Sequence, residues 1–303
     1  MRIVFMGTPS YASVILKELL KDNSFEVVAL VTQMDKPVGR RQILTPPDTK
    51  KFLLDNSLDI KIFQPETLKD ETSIKFIKEL KPDFIVVAAY GMLLPKEILS
   101  IAPCINLHAS ILPKYRGASP IQSAILNQDR FSGVSAMLMN EGLDTGDILS
   151  FSYIGISNLN AIELFEKLSR LAAKLTIKTL KNFNSLKPIK QIDCEATYAK
   201  KIKKEDGLVD LLDAKKVYAK YLAFIFWPGI FLKSGIKLKK IALHDIDTQN
   251  GIGKILKIEK EYIILGCKKG SLKIFSLQIP SKKQMSAVEY IRGKRLEVGD
   301  IIS

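Results

Sequence analysis

Apolar residues run along the first half of the chain in short unbroken blocks, most of them followed by a stripe at helical spacing. RIVFM (2–6) reads as a strand buried on both faces, and Val14, Ile15, Leu19 and Leu20 then recur as a helical stripe. Thr8 is expected to cap that helix, with Pro9 in its first turn. FEVVALVT (25–32), DFIVVAAY (83–90) and CINLH (104–108) repeat the strand pattern, as do GVSAMLMN (133–140) and GDILSFSYI (146–154). Helices are expected through the seventies, near 119–128 and over 161–182. This alternation predicts an α/β domain with an open, mostly parallel sheet and helices on both faces. Sheets of that kind bind ligands beyond the carboxyl ends of their strands.

The period changes after residue 182. NSLKPIKQIDCEATYAKKIKKEDG reads as an extended, Lys-rich linker (183–206), and Lys215 to Phe226 as a helix. Beyond it, glycines separate short strands such as IKLKKIAL, YIILGC and SLKIFSLQI, at a spacing of about ten residues. That spacing predicts a smaller all-β, barrel-like domain over 207–303. Between Thr32 and Lys50, QMDKPVGRRQILTPPDT has no periodicity and is longer than ordinary connections.

Composition narrows the function classes. With 47% hydrophobic and 26% charged residues the chain can bury a core. No apolar run approaches the roughly 20 residues of a membrane helix, so no membrane partner is expected. The opening MRIVFMGTPS enters a strand at once, which leaves no leader-type segment ahead of it. Three scattered cysteines without ligand spacing fit a reducing cytoplasm and no metal. The net charge of +14 is uneven: residues 1–180 hold 21 Lys+Arg against 19 Asp+Glu, whereas 206–303 hold 18 against 10. A basic C-terminal face that attracts a polyanion is one reading, and a compositional bias of the source is the other.

A single glycine in the first turn gives no G-x-G-x-x-G, and no G-x-x-x-x-G-K-[ST] occurs, so neither a dinucleotide nor ATP is indicated. Two other segments can carry chemistry. Asn106 and His108 share one face at the end of CINLH, and Asp144 lies between Gly142 and Gly146 in EGLDTGDIL. An amide and an imidazole can donate to a developing oxyanion, while a carboxylate orients the ring and accepts protons. A hydrogen-bonded core histidine and a turn aspartate are the structural alternatives. Cys104 reads as core and His244 as surface loop.

NLHASILPKYRGASPI, together with EGLDTGDIL, resembles the signature of the folate-dependent formyltransferase family. Ala109 and Ile111 depart from the commoner glycine and leucine. FMGTPSYA, TQMDKPVGRR, AYGMLLPKEIL, FWPG and PSKKQMSA fit, in order, the members that act on initiator Met-tRNA, and the likeness runs over about residues 2–300. The resemblance implies a Rossmann-like catalytic, folate-binding domain over 1–182 and an OB-like, tRNA-binding domain over 207–303. It also implies formyl transfer from 10-formyltetrahydrofolate by a monomeric enzyme of the bacterial cytoplasm. In that reading Asn106, His108 and Asp144 are catalytic, with Asn106 and His108 stabilising the oxyanion. Ser110, Ile111, Leu112 and Pro113, Tyr90, Gly91, Met92 and Leu93, and Asn140, Glu141, Gly142 and Leu143 line the folate pocket. Arg40 and Arg41 reach the tRNA. Arg116-Gly117 is either a ligand contact or a structural turn with a fixed guanidinium. Formylation of a small amine, hydrolysis of the formyl group, and RNA binding without catalysis are the competing functions.

Overall fold

The computed structural model describes residues 1–39 and 41–302. The chain begins β1 (Arg2–Gly7), α1 (Ser10–Lys21), β2 (Glu26–Val31), β3 (Lys36–Val38), β4 (Ile43–Thr45) and α2 (Asp48–Asp55). It continues with β5 (Lys61–Phe63), α3 (Glu71–Glu79), β6 (Phe84–Ala88), α4 (Lys96–Leu99), β7 (Cys104–His108), β8 (Arg116–Gly117) and α5 (Pro120–Leu126). Then come β9 (Phe131–Leu138), β10 (Ile148–Gly155), α6 (Ala161–Lys181), β11 (Tyr198–Ala199), α7 (Ala214–Ala223), β12 (Ile230–Phe231) and β13 (Lys237–Gln249). The last elements are β14 (Ile255–Ile258), β15 (Ile263–Gly266), β16 (Lys269–Gln278), β17 (Met285–Ser286) and α8 (Ala287–Lys294).

Two compact units divide the chain. The first holds residues 1–120, 131–155 and 165–200. Its seven-stranded sheet has the order β10-β9-β7-β6-β1-β2-β5. The five strands from β7 to β5 are parallel, and β9 and β10 continue the sheet antiparallel beyond β7. This is the expected open, mostly parallel sheet, to which β9 and β10 add an antiparallel edge. Burial explains the unbroken apolar blocks: Ile3, Val4, Phe5 and Met6 of β1 are all fully buried, as a strand covered on both faces requires. Thr8 does not cap α1. Pro9 stands at the N-cap position in an extended conformation, and the Thr8 hydroxyl instead donates to the Tyr90 carbonyl (3.1 Å).

Residues 183–200 are not a free linker; they cluster with the first unit. β11 pairs in parallel with β8, and Ile189 bridges to Ile148 of β10. The segment is a strap laid over the sheet edge and the loops beside it. No helix among the described residues is long and apolar enough to cross a membrane.

The second unit holds residues 121–130, 156–164 and 201–302 of the described chain. An antiparallel sheet of order β12-β13-β16-β15-β14, with β17 added to β16, forms its frame, and the OB-like reading is compatible with it. Asp213 caps α7, accepting from the amides of Lys215 and Lys216, and Ser286 caps α8 with a reciprocal Glu289 contact. His244 is not in a loop. It lies within β13, with Nδ1 2.9 Å from the Ser271 hydroxyl of β16.

Candidate active site

β7 sits between β6 and β9, and its carboxyl end delivers His108 buried, at 7% exposure, with Asn106 half-buried on the same face. Asp144 arrives from the loop between β9 and β10. Asn106 Nδ2 donates to Asp144 Oδ1 (3.3 Å), and the Gly117 amide donates to Asp144 Oδ2 (2.8 Å). His108 Nδ1 lies 3.6 Å from that same Oδ2, longer than a hydrogen bond. The other ring nitrogen, Nε2, is 2.8 Å from the Tyr115 carbonyl. A carbonyl only accepts, so this contact puts a proton on Nε2 and leaves Nδ1 as the nitrogen that faces Asp144. The structure thus brings Asn106, His108 and Asp144, remote in sequence, into one cluster.

Backbone geometry around the cluster is unusual. Asp144 has φ +53° and Tyr115 φ +60°, both left-handed, a conformation that costs about 1–3 kcal/mol and persists only where the surrounding structure enforces it. Gly117 has φ +109°, and a Cβ there would come 2.8 Å from the Ala199 carbonyl of the strap, so glycine permits the close crossing. The strap returns several bonds. Arg116 N donates to Thr197 O (2.8 Å), Tyr115 N to Thr197 Oγ1 (2.9 Å), and Ala118 N to Ala199 O (2.8 Å).

Arg116 is 2% exposed, among the largest fully buried side chains of the protein. Its Nε donates to Gln191 Oε1 (3.0 Å) and its Nη2 to Asp193 Oδ1 (2.9 Å). Arg116 is accordingly a fixed guanidinium within the site's scaffold. Gln191, in the stretch read as linker, is buried as well, and its amide nitrogen donates to the carbonyls of Asp144 (3.0 Å) and Gly146 (2.7 Å). Nothing in the sequence marks Gln191: a lone glutamine in an aperiodic stretch carries no pattern.

The expected folate-lining residues divide by exposure. Ser110 and Leu112 are buried: the Ser110 hydroxyl donates to Lys114 O (2.6 Å), and Leu112 packs with Met137 and Ile148. Ile111 and Pro113 are half-buried. Tyr90 packs in the core with Leu94, Ile98 and Cys104, and burial pushes its hydroxyl pKa up to about 12. Gly91 is exposed with φ +85°, Met92 is half-buried, and Leu93 is exposed. Asn140, Glu141, Gly142 and Leu143 are exposed, with Asn140 Oδ1 accepting from Gly142 N (3.0 Å) and Thr145 Oγ1 (2.8 Å). The long segment after β2 contains a hairpin, β3 paired antiparallel with β4, whose Val38, Ile43 and Leu44 are exposed. Arg41 is exposed in its turn, and Arg40 lies outside the described residues. Burial raises the Cys104 thiol to about 12, as befits a core residue. Among the described residues no three His, Cys, Asp or Glu side chains come together as a metal site.

Comparison with known proteins agrees with this architecture. The profile of the Formyl transferase family matches residues 1–180, and that of the Formyl transferase C-terminal domain matches 201–295. A methionyl-tRNA formyltransferase from a Nitratiruptor species is 60% identical over 301 residues, 99% of each chain. One from Campylobacter lari is 60% identical over 298 residues, 98% of each. Among solved structures, an N-formyltransferase from Helicobacter canadensis, in complex with folinic acid and dTDP-3-aminofucose, aligns with TM-score 0.68 at 21% identity. That alignment covers 90% of this chain and 98% of the other. HypX from Aquifex aeolicus in complex with tetrahydrofolic acid gives TM-score 0.64 at 17% identity, over 100% of this chain and 49% of that one. At such identities these two share the fold. Profile matches to both parts of the chain, and relatives 60% identical over nearly all of it, lead to one conclusion: the chain belongs to the formyl transferase family.

Proposed function

We propose that the protein transfers a formyl group from 10-formyltetrahydrofolate to the α-amino group of methionine on initiator tRNA, as a monomer in the bacterial cytoplasm. The observation that carries the chemistry is the cluster of Asn106, His108 and Asp144, with one carboxylate within 3.6 Å of both an amide and an imidazole. In formyl transfer the amine nitrogen bonds to the formyl carbon, the bond from that carbon to N10 of the folate breaks, and one proton passes from amine to N10. Asn106 Nδ2 has a second N–H beyond the one facing Asp144, and His108 Nδ1, 3.6 Å from Asp144 Oδ2, is not hydrogen-bonded to it. These two atoms suit the oxyanion that develops on the formyl oxygen, Nδ1 donating in the imidazolium form of the ring. Asp144 accepts the proton that the amine releases and passes it on toward N10 of the folate.

Half-buried Ile111, Pro113 and Met92, exposed Leu93, and exposed Asn140 to Leu143 supply the wall for the pterin in this reading. Support for the acceptor comes from the relatives named methionyl-tRNA formyltransferase, which align over both units. The basic charge of residues 206–303 and exposed Arg41, with its neighbour Arg40, suit tRNA phosphates. The deciding experiment offers 10-formyltetrahydrofolate together with either charged initiator tRNA or glycinamide ribonucleotide. Transfer to the methionyl-tRNA alone is expected; transfer only to the small amine, or to neither, overturns the proposal.

A further inference from the structure

Asp144 is held at both ends. Its carboxylate is gripped by Asn106 and Gly117, while its own carbonyl, with that of Gly146, is gripped by the single amide of Gln191. Which end of that amide faces which partner follows from chemistry. Two carbonyls can only accept, so the atom facing them is nitrogen; a guanidinium can only donate, so the atom facing Arg116 is oxygen. Both amide hydrogens of Gln191 and its acceptor are therefore engaged, in a buried setting where a misplaced partner is strongly disfavoured. Arg116 is fixed in turn by exposed Asp193 and by strap backbone at Thr197. A chain of polar contacts thus runs from Asp193 through Arg116 and Gln191 to the left-handed turn that aims Asp144 at His108.

We infer that Gln191, clamped by Arg116, is a positioning residue for Asp144: it sets the conformation of the 144–146 turn, and the strap of residues 183–200 is a built part of the active site. This rests on the catalytic role proposed for Asp144. Gln191 touches neither reacting atom and acts through the aspartate alone. The proposal therefore foresees a loss in kcat rather than in substrate affinity.

The informative variant is Gln191→Glu, which keeps an acceptor for Arg116 but removes the two donors to the carbonyls. With formyl transfer to methionyl-tRNA as the readout, kcat is expected to fall by on the order of 10–10²-fold, the size that misplacement of a reacting group by about an ångström produces. KM for both substrates should stay within about twofold. In an Asp144→Asn background the same change should have no further effect, because the two residues act as one unit. Should Gln191→Glu melt early, Asp193→Ala at the exposed end of the chain must lower kcat and likewise become silent beside Asp144→Asn. An unchanged kcat, a rise in KM alone, or a loss that persists undiminished in the Asp144→Asn background overturns the inference. If Asp144→Asn itself leaves kcat intact, the catalytic reading of Asp144 has failed; if it lowers kcat while Gln191→Glu does not, only the positioning role has failed.

Discussion

His108 has both ring nitrogens accounted for by position: Nε2 against the Tyr115 carbonyl and Nδ1 turned toward Asp144. The first contact orients the ring, and in the proposed mechanism the second leaves Nδ1 where charge develops on the formyl oxygen. His108→Ala should lower kcat by on the order of 10²–10³-fold, the loss of one oxyanion donor, with the thermal melt little changed. Near-normal turnover would refute the role. Cysteine reactivity follows from burial at the same scale. Cys104 and Cys267 are buried, with thiols pushed up to about 12, whereas Cys194 is exposed. Iodoacetamide at about pH 8, near the pKa of a free thiol, should therefore label Cys194 alone in the native chain and all the cysteines in denaturant. Labelling of Cys104 without denaturant would contradict its place in the core.

One surface ion pair joins the ends of two helices, and its modest contribution to stability depends on pH. Asp22 caps the end of α1 and pairs with Lys181 at the end of α6 (2.7 Å). Hydrogen bonding from Lys181, then from Ser24, holds its carboxyl down at about 2. A depressed carboxyl stabilises the fold above its unfolded pKa of about 4, and that contribution fades as pH falls through about 2. Wild type should melt above Asp22→Asn at about pH 6, and the gap should close between about pH 4 and 2. A gap independent of pH would mean that the pair contributes nothing electrostatic. The hairpin of β3 and β4 belongs to the same scale. Its exposed turn carries Arg41, and Arg41→Ala should raise KM for tRNA while leaving KM for the folate unchanged. Equal effects on both would remove Arg41 from the tRNA contacts.

For the molecule as a whole, most of the net positive charge lies beyond residue 180, with an excess of 18 Lys+Arg over 10 Asp+Glu in residues 206–303. Exposed Lys237 and Lys239 of β13 are the kind of side chain that neutralises phosphate. If one of them does so, changing it to Ala should weaken tRNA binding and flatten the slope of log affinity against log salt by about 0.7–0.9 for each phosphate no longer neutralised. An unmoved slope for both would make their charge incidental to binding.

The parallel core and the three clustered side chains are legible in the amino-acid sequence by itself. Strands buried on both faces are largely apolar blocks, so RIVFM and FIVVA announce β1 and β6, and CINLH, apolar except at Asn106 and His108, announces β7. A residue at the end of such a strand has a known direction, which is why alternation alone pairs Asn106 with His108. Charge and composition likewise separate the basic last third from the near-neutral first part. Tertiary structure decided what depends on long-range pairing of short, aperiodic segments. The two-residue partnership of β8 and β11 leaves no periodicity to read, nor does the small β3–β4 hairpin. His244 reads as a loop residue among polar neighbours and becomes part of a long strand because β16 pairs with β13. Gln191 is the sharpest case: 47 positions from Asp144 in sequence, it acquires its place only when the strap folds back. A glutamine amide has no preference that local sequence can reveal. Its function is set by the carbonyls that folding brings to it.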